Sequence, residues 1–574
     1  MMRLRLVLVA ALLLVLASPA YAATPAPARG REVMVVTSQV DATRVGVAVL
    51  RAGGNAIDAA IAAGFALNVT QPQSTGIGGG AFVLIRLADG TAVAIDCRET
   101  APAAATRDMY LREGVADKAS LFGPLAAGTP GLLAGFALAL REYGTQPLAE
   151  VLRPAIRLAE GGYGVGPYQA RLLGRMQKYG LPERYPATAA IQYPPEGEAL
   201  EPGFRVVQAD LGRTLRAIAA EGPDVFYRGW LARAIADEMK RLGGLITMED
   251  LAAYRPVVRP AVTGSYRGRQ VVSFPPPSSG GVALVQALNI LEGFDLKPLG
   301  AGSSASAHRI AEALKLAFAD RAAWLGDPDF VDVPVNFLID PAYAARLRAR
   351  INPPRWKRAP WTWGRGEVAI RVKGPGQPPD DGGTTHLSVV DAQGNAVAIT
   401  ETINSAYGSW VTVPGTGILL NNEMDDFAKD TNAPNLYGLV DTRGANAIAP
   451  GKRPLSSMTP TVVVEDGRVR MVTGSPGGPR IISTTLQTIV NVLEFGMDAQ
   501  AAVSEPRIHH QWVPDTLFVE EGVPEDVTEG LRARGHPVKA GGTWSAAEIV
   551  VVDPDTGVRY GGNDPRRDGL ALGY

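Results

Sequence analysis

Cysteine is almost absent from this chain: Cys97 is the single one in 574 residues, so no intrachain disulfide, CxxC pair or thiolate metal cage exists. Neither sign of charge is in excess. With 56 Lys+Arg against 57 Asp+Glu the formal net charge is -1, and no basic field is available to hold a phosphate backbone by counterion release. Nucleic acid is therefore not an expected partner. Histidine is scarce, and none of His308, His386, His509, His510 and His536 stands in HExxH spacing, so no metal site is expected. Walker A and GxSxG sequences are missing. Gly76 to Ala81 spell the letters of a dinucleotide fingerprint, but a strand is expected after them where the fingerprint needs a helix. Repeats, low-complexity tracts and long apolar runs are absent beyond residue 22.

What is present is ordinary globular composition, 46% hydrophobic and 20% charged, with 65 Gly and 44 Pro promising many tight loops. The first 22 residues stand apart. Arg3 and Arg5 precede an apolar run over residues 6–16, and Ala20-Tyr21-Ala22 has the small-x-small form of a cleavage site. The run is short for the ~20 residues of a membrane span. An export signal that is removed is expected, leaving a soluble periplasmic or secreted protein with no membrane attachment.

Residues 32–351 read as mixed structure with helices outnumbering strands. Ile57, Ile61, Phe65 and Val69 recur at intervals of four behind Asn55, a packed helix with an N-cap. Apolar stretches flank Asp89-Gly90 as a hairpin, with Arg98 just past its second strand. Helices are expected over residues 306–324 and over 210–220, the latter with Asp210 as its cap. Residues 274–281, Phe-Pro-Pro-Pro-Ser-Ser-Gly-Gly, are expected to be loop. Residues 352–383 hold six Pro, six Gly and three Trp with little periodicity, a surface connector. A hairpin follows at once: β-branched residues from Thr384 to Val390, a Gly394-Asn395 turn, then Ala396 to Thr402. Further strands are expected over 459–465 and 470–473, and a helix over 480–494.

The connector thus delivers the chain to a strand whose first residue is threonine. If Gly383-Thr384 were cut, Thr384 would carry a hydroxyl nucleophile and a free α-amine that can act as its general base, so no histidine is required. Gly383 would allow the strained backbone that attack on its own carbonyl needs. On its own, Thr-Thr at a strand start is usually plain β-propensity.

Around it stand Thr384 to Asp391 (TTHLSVVD), Leu419 to Phe427 (LLNNEMDDF), Lys452 to Met458 (KRPLSSM) and Gly474 to Gly478 (GSPGG), joined by Asp96-Cys97-Arg98-Glu99, the Pro277 to Gly281 loop and Arg507-Ile508-His509-His510-Gln511-Trp512. Together these resemble the γ-glutamyltranspeptidase family of N-terminal nucleophile hydrolases, in collinear order over nearly the whole chain. The resemblance implies an α+β fold, a four-layer αββα sandwich, in a proenzyme that cuts itself between Gly383 and Thr384. Residues 23–383 then form a large subunit and 384–574 a small one, interwoven as a heterodimer.

The resemblance also assigns roles. Thr384 is the nucleophile and Thr402 the hydroxyl that positions it. Gly477 and Gly478 offer NH groups to the oxyanion. Arg98, Ser456 and Ser457 hold the α-carboxylate of a γ-glutamyl donor; Asn404, Glu423 and Asp426 accept its ammonium. Tyr437, in residues 433–438, closes a lid. The implied activity is ping-pong transfer of the γ-glutamyl group from glutathione or a similar small molecule to water, an amino acid or a dipeptide, without cofactor. The rival readings are a β-lactam side-chain acylase on the same scaffold and, from another class, an exported solute-binding protein. Cys97 and the Trp-rich residues 354–363 match no assigned role.

Overall fold

The computed structural model describes residues 25–195, 200–351, 383–431 and 433–574. The expected export signal and residues 352–382 of the expected connector, with the Trp-rich residues 354–363, lie outside them.

Fourteen strands build two seven-stranded antiparallel sheets. In chain order they are β1 (Ala28–Gly30), β2 (Met34–Thr37), β3 (Gly80–Arg86), β4 (Ala92–Cys97), β5 (Val257–Arg259), β6 (Val262–Tyr266), β7 (Arg269–Ser273), β8 (Gly383–Val390), β9 (Ala396–Asn404), β10 (Thr461–Glu465), β11 (Arg468–Gly474), β12 (Glu548–Val552), β13 (Arg559–Asn563) and β14 (Leu570–Gly573). The first sheet runs β14-β2-β8-β9-β3-β4-β5 and the second β1-β13-β12-β11-β10-β7-β6. Six helices matter here: α1 (Val40–Arg51), α2 (Ala56–Thr70), α3 (Ala209–Glu221), α4 (Gly280–Leu291), α5 (Ser304–Trp324) and α6 (Arg480–Leu493).

Strand periodicity sorts the side chains into layers. Val35, Leu387, Val389, Val397 and Ile399 face outward into a core shared with α1 and α2. Their neighbours Met34, Val36, Val390, Ala396 and Ala398 face inward and meet Val272, Val462, Val472 and Val550 of the second sheet. Phe82 stacks on Phe274 across this inner layer, ring centroids 4.1 Å apart. On the far side, Val271, Val463, Met471 and Ile549 pack beneath α4, α5 and α6. The result is the αββα order that the resemblance implies. No described helix is long and apolar enough to cross a membrane.

Residues on either side of position 383 share both sheets. The β8–β9 hairpin lies between β2 and β3, and β7 pairs with β10. Asp391 fixes the hairpin turn: its carboxylate accepts from the backbone of Gln393 and Asn395 and from Ala56 N at the start of α2. Asn55 caps α2 in a reciprocal capping box with Asp58.

Three sequence expectations need correction. Asp210 does not cap α3; Gln208 holds that position and Asp210 sits in the first turn, paired with Arg213 at 2.5 Å. The loop after β7 ends earlier than expected, because Gly280 and Gly281 open α4. A Cβ on either would collide with Thr459 or with the Phe274 carbonyl, so glycine serves close helix–strand packing there. Finally, β8 begins at Gly383, which pairs with Asn404 before an irregularity in register, and Thr384 pairs with Thr402.

Candidate active site

The head of β8 is where chemistry-bearing side chains converge. Thr384 is 6% exposed, and its Oγ1 lies 2.9 Å from Thr402 Oγ1. Thr402 Oγ1 also donates to the Gly383 carbonyl at 2.6 Å and accepts from Asn404 N at 2.8 Å. A hydroxyl has one proton and two lone pairs. With the proton on Gly383 O and one lone pair on Asn404 N–H, the remaining lone pair accepts from Thr384, so the Thr384 hydroxyl is the donor of that pair. The hairpin makes this possible, because an antiparallel return brings the end of β9 beside the start of β8. Gly383 is not among the residues with positive φ. Its need for glycine is close approach: a Cβ would collide with the Asn404 carbonyl and with Ser405.

Arg98, just past β4, is 1% exposed. Its guanidinium pairs with Glu423 and with Asp426, and its Nε donates to Pro454 O at 3.1 Å. The Glu99 carboxylate stands 3.8 Å away. Burial works against the charge on Arg98, but the three carboxylates outweigh it and hold the guanidinium above its ordinary value. For Glu423, Asp426 and Glu99 burial is the larger effect and Arg98 opposes it, leaving all three raised. One buried cation among three carboxylates is an arrangement that welcomes a second positive charge.

Ser456 and Ser457 line the same pocket as Arg98 and Thr384. The loop from Pro277 to Ser279 straps Ser456 in place: Ser279 N and Oγ donate to Ser456 O at 2.8 and 2.6 Å, and Ser456 N donates to Pro277 O at 2.8 Å. Arg321 of α5 holds Ser279 Oγ at 3.0 Å. Asn404, at φ +76°, gives its Nδ2 to Asn422 O at 2.9 Å, which leaves its amide oxygen as an acceptor.

Gly478 lines the pocket, whereas Gly477 stands a residue behind it against Ser545. Both have positive φ, +134° for Gly477 and +54° for Gly478, and both precede the N-terminus of α6, where backbone N–H groups favour negative charge. Tyr437 covers the pocket: its hydroxyl donates to Asn404 O at 2.7 Å, and a Cβ on Gly478 would lie 2.7 Å from its ring. The space left is about 20 Å³, on the order of one water. A larger cavity of about 220 Å³ opens at the other end of β8, beside Val390 and Arg559, away from this chemistry.

Sequence reasoning missed Arg567. Its Nη1 donates to Thr384 O at 2.7 Å, across 183 positions that no spacing rule connects. It also missed one grouping of metal-ligand type: His308 and Glu312, one turn apart on α5, come within 4.8 Å of His536. There His308 Nδ1 and His536 Nε2 hold each other at 2.7 Å. Burial lowers them to about 4 and about 3, helped by Arg309 and Arg534 beside His308 and by Lys315 near His536. Cys97 is buried against Gly135 as an apolar filler.

A two-sheet sandwich with helices on both outer faces and a threonine at the head of an inner strand defines an N-terminal nucleophile hydrolase. Comparison with known proteins narrows this. The family model described as Gamma-glutamyltranspeptidase matches residues 42–574, and the chain belongs to that family. It is 48% identical to the glutathione hydrolase proenzyme of Escherichia coli K12 over 553 residues, 96% of this chain and 93% of that protein. Among solved structures, a cephalosporin acylase from Bacillus halodurans superimposes with a TM-score of 0.82 at 31% identity, covering 97% of this chain and 98% of its own. A chain of Helicobacter pylori γ-glutamyltranspeptidase, 43% identical, covers 58% of this one and 96% of its own with a TM-score of 0.54. Family membership removes the solute-binding reading.

Proposed function

We propose that the chain is exported under residues 1–22, cuts itself between Gly383 and Thr384, and then hydrolyses or transfers the γ-glutamyl group of glutathione and related donors. The observation that carries the cleavage is the shared hydroxyl of Thr402. Thr384 Oγ attacks the Gly383 carbonyl carbon, its proton passing to Thr402 while the Thr402 proton moves onto the Gly383 oxygen. Collapse breaks the Gly383–Thr384 C–N bond, the Thr384 nitrogen takes the proton, and an ester remains. The α-amine is free from that point, and water then hydrolyses the ester, releasing the Thr384 hydroxyl and leaving Gly383 as a carboxylate.

In the mature enzyme that amine, of unperturbed pKa about 8, takes the Thr384 proton as the hydroxyl attacks the donor's γ-carbonyl. The N–H groups before α6 face the oxyanion, Gly478 foremost. The leaving amine departs with the proton, and water or an amine then resolves the ester on Thr384. Donor binding is an exchange of partners. The donor's α-carboxylate takes the Arg98 fork with the Ser456 and Ser457 hydroxyls, and the displaced Glu423 and Asp426, with Asn404, receive its ammonium.

The acylase resemblance gives the rival a specific form, a donor without the α-ammonium. Comparing γ-glutamyl anilide with glutaryl anilide changes that group alone. The γ-glutamyl compound should be preferred in kcat/KM at least about tenfold, the scale of one charged hydrogen bond. Equal turnover would assign the enzyme to glutaryl-type acyl donors.

A further inference from the structure

The Arg507 to Trp512 segment is carried by no step of the mechanism, yet it reaches the lid. Gln511, 3% exposed, donates from Nε2 to Tyr437 O at 3.1 Å and to Val513 O at 3.3 Å. Two carbonyl acceptors fix the amide with its nitrogen toward them, so Oε1 faces His509 Nε2 at 2.9 Å as an acceptor. His509 is fully buried, and burial, with Arg480 nearby, lowers it to about 3; the ring is neutral. It must then carry its proton on Nε2, and Nδ1 accepts from Ser483 Oγ at 2.9 Å, a hydroxyl that shares its one proton between this nitrogen and Arg480 O at 3.0 Å. Ser483 belongs to α6, the helix whose N-terminus follows Gly477 and Gly478.

From this chain of buried groups we infer that Gln511, oriented by His509 and Ser483, is a positioning residue that latches Tyr437 over the acyl pocket. The inference rests on the reading of that pocket given above. Tyr437 has a second tether at its hydroxyl, on Asn404 O, and a third at its amide, from the Asn435 side chain. The Gln511 bond ties the lid's main chain, through His509 and Ser483, to the helix behind the oxyanion site. Losing it should raise the lid without touching Thr384, so donor affinity falls while the chemical step is kept.

The test uses Gln511→Met, which keeps length and removes both polar atoms, and Ser483→Ala at the far end of the relay. Each is measured as self-processed enzyme for KM and kcat on γ-glutamyl anilide and for the rate of limited proteolysis within residues 433–438. Gln511→Met should raise KM and lid nicking about two- to tenfold, the range that one lost hydrogen bond supports, with kcat, self-cleavage and thermal midpoint near wild type. Ser483→Ala should move both quantities the same way by less, and Gln511→Met should add nothing in a Tyr437→Ala background. Wild-type KM and nicking rate in Gln511→Met, or effects that multiply with those of Tyr437→Ala, overturn the latch. If Gln511→Met does not fold, Ser483→Ala decides by the same two readouts. Should wild type fail to turn over the anilide, the pocket reading falls, while lid nicking still judges the latch.

Discussion

The hydroxyl of Thr402 lies 2.9 Å from that of Thr384 and donates to the carbonyl of Gly383 at 2.6 Å, so one side chain touches both the proposed nucleophile and the carbonyl it would attack. Thr402→Val keeps the shape and loses both contacts. Self-cleavage of that variant should slow by about 10²- to 10⁴-fold, the usual weight of positioned proton transfer, and Thr402→Ser should keep most of the wild-type rate. Thr384→Ala should remain a single chain. Mass spectrometry and N-terminal sequencing read all three, and a Thr384→Ala protein that still splits before position 384 would refute self-processing by Thr384.

Arg98 needs a subtler substitution than alanine. Because Arg98, Glu423 and Asp426 form a buried ion-pair cluster, removing the cation leaves carboxylates stranded, which costs about 3–5 kcal/mol and confuses folding with recognition. Arg98→Lys keeps the charge and loses the planar fork. It should fold and self-cleave, with KM for γ-glutamyl anilide raised by roughly ten- to a hundredfold, the weight of a charged hydrogen bond. An unchanged KM would take Arg98 out of the donor pocket.

Glu401 predicts a pH effect on stability rather than activity. It is fully buried on β9, its Oε2 accepting from Asn68 at 2.6 Å and Thr75 at 2.8 Å, and burial pushes it up to about 8. Between its unfolded value near 4.3 and about 8 the native state holds a proton that the unfolded chain releases. Stability from this group is therefore full at low pH and is lost as pH rises through that window. Glu401→Gln should flatten the decline of the thermal midpoint from about pH 5 to about pH 8. A slope identical to wild type would show that Glu401 is not protonated there.

Much of this was legible in the sequence for physical reasons. The hairpin that carries Thr384 and Thr402 is local: β-branched runs around a Gly394-Asn395 turn set its register, and the register sets the hydroxyl pair. Asn55 announced α2 in the same local way, whereas its capping-box partner Asp58 emerged with the structure. Arg567, His509 and Gln511 were not legible as site residues, because their partners lie 183, 26 and 74 positions away and only packing brings them together. Gly383 shows a third case. Its identity was readable but its reason was not, since close approach to Asn404 and not left-handed backbone demands it.

Tyr437 should govern which nucleophile resolves the acyl-enzyme. Its ring lies on Gly478 and its hydroxyl on Asn404 O, so it shields the ester on Thr384 from bulk water. An amine acceptor attacks only when unprotonated, and its α-amino pKa is about 8, so transfer should grow relative to hydrolysis as pH rises from about 6 to about 10. Tyr437→Ala removes the shield without altering Thr384, Thr402 or Gly383, and self-cleavage should be unaffected. The variant should shift partitioning toward hydrolysis at every pH and accept bulkier acyl donors. The measurement is release of the donor's leaving group beside formation of the dipeptide product, with and without acceptor, in both proteins. If wild type forms no acceptor-dependent product across that range, the enzyme is a γ-glutamyl hydrolase alone, and the lid then serves donor binding without selecting the acceptor.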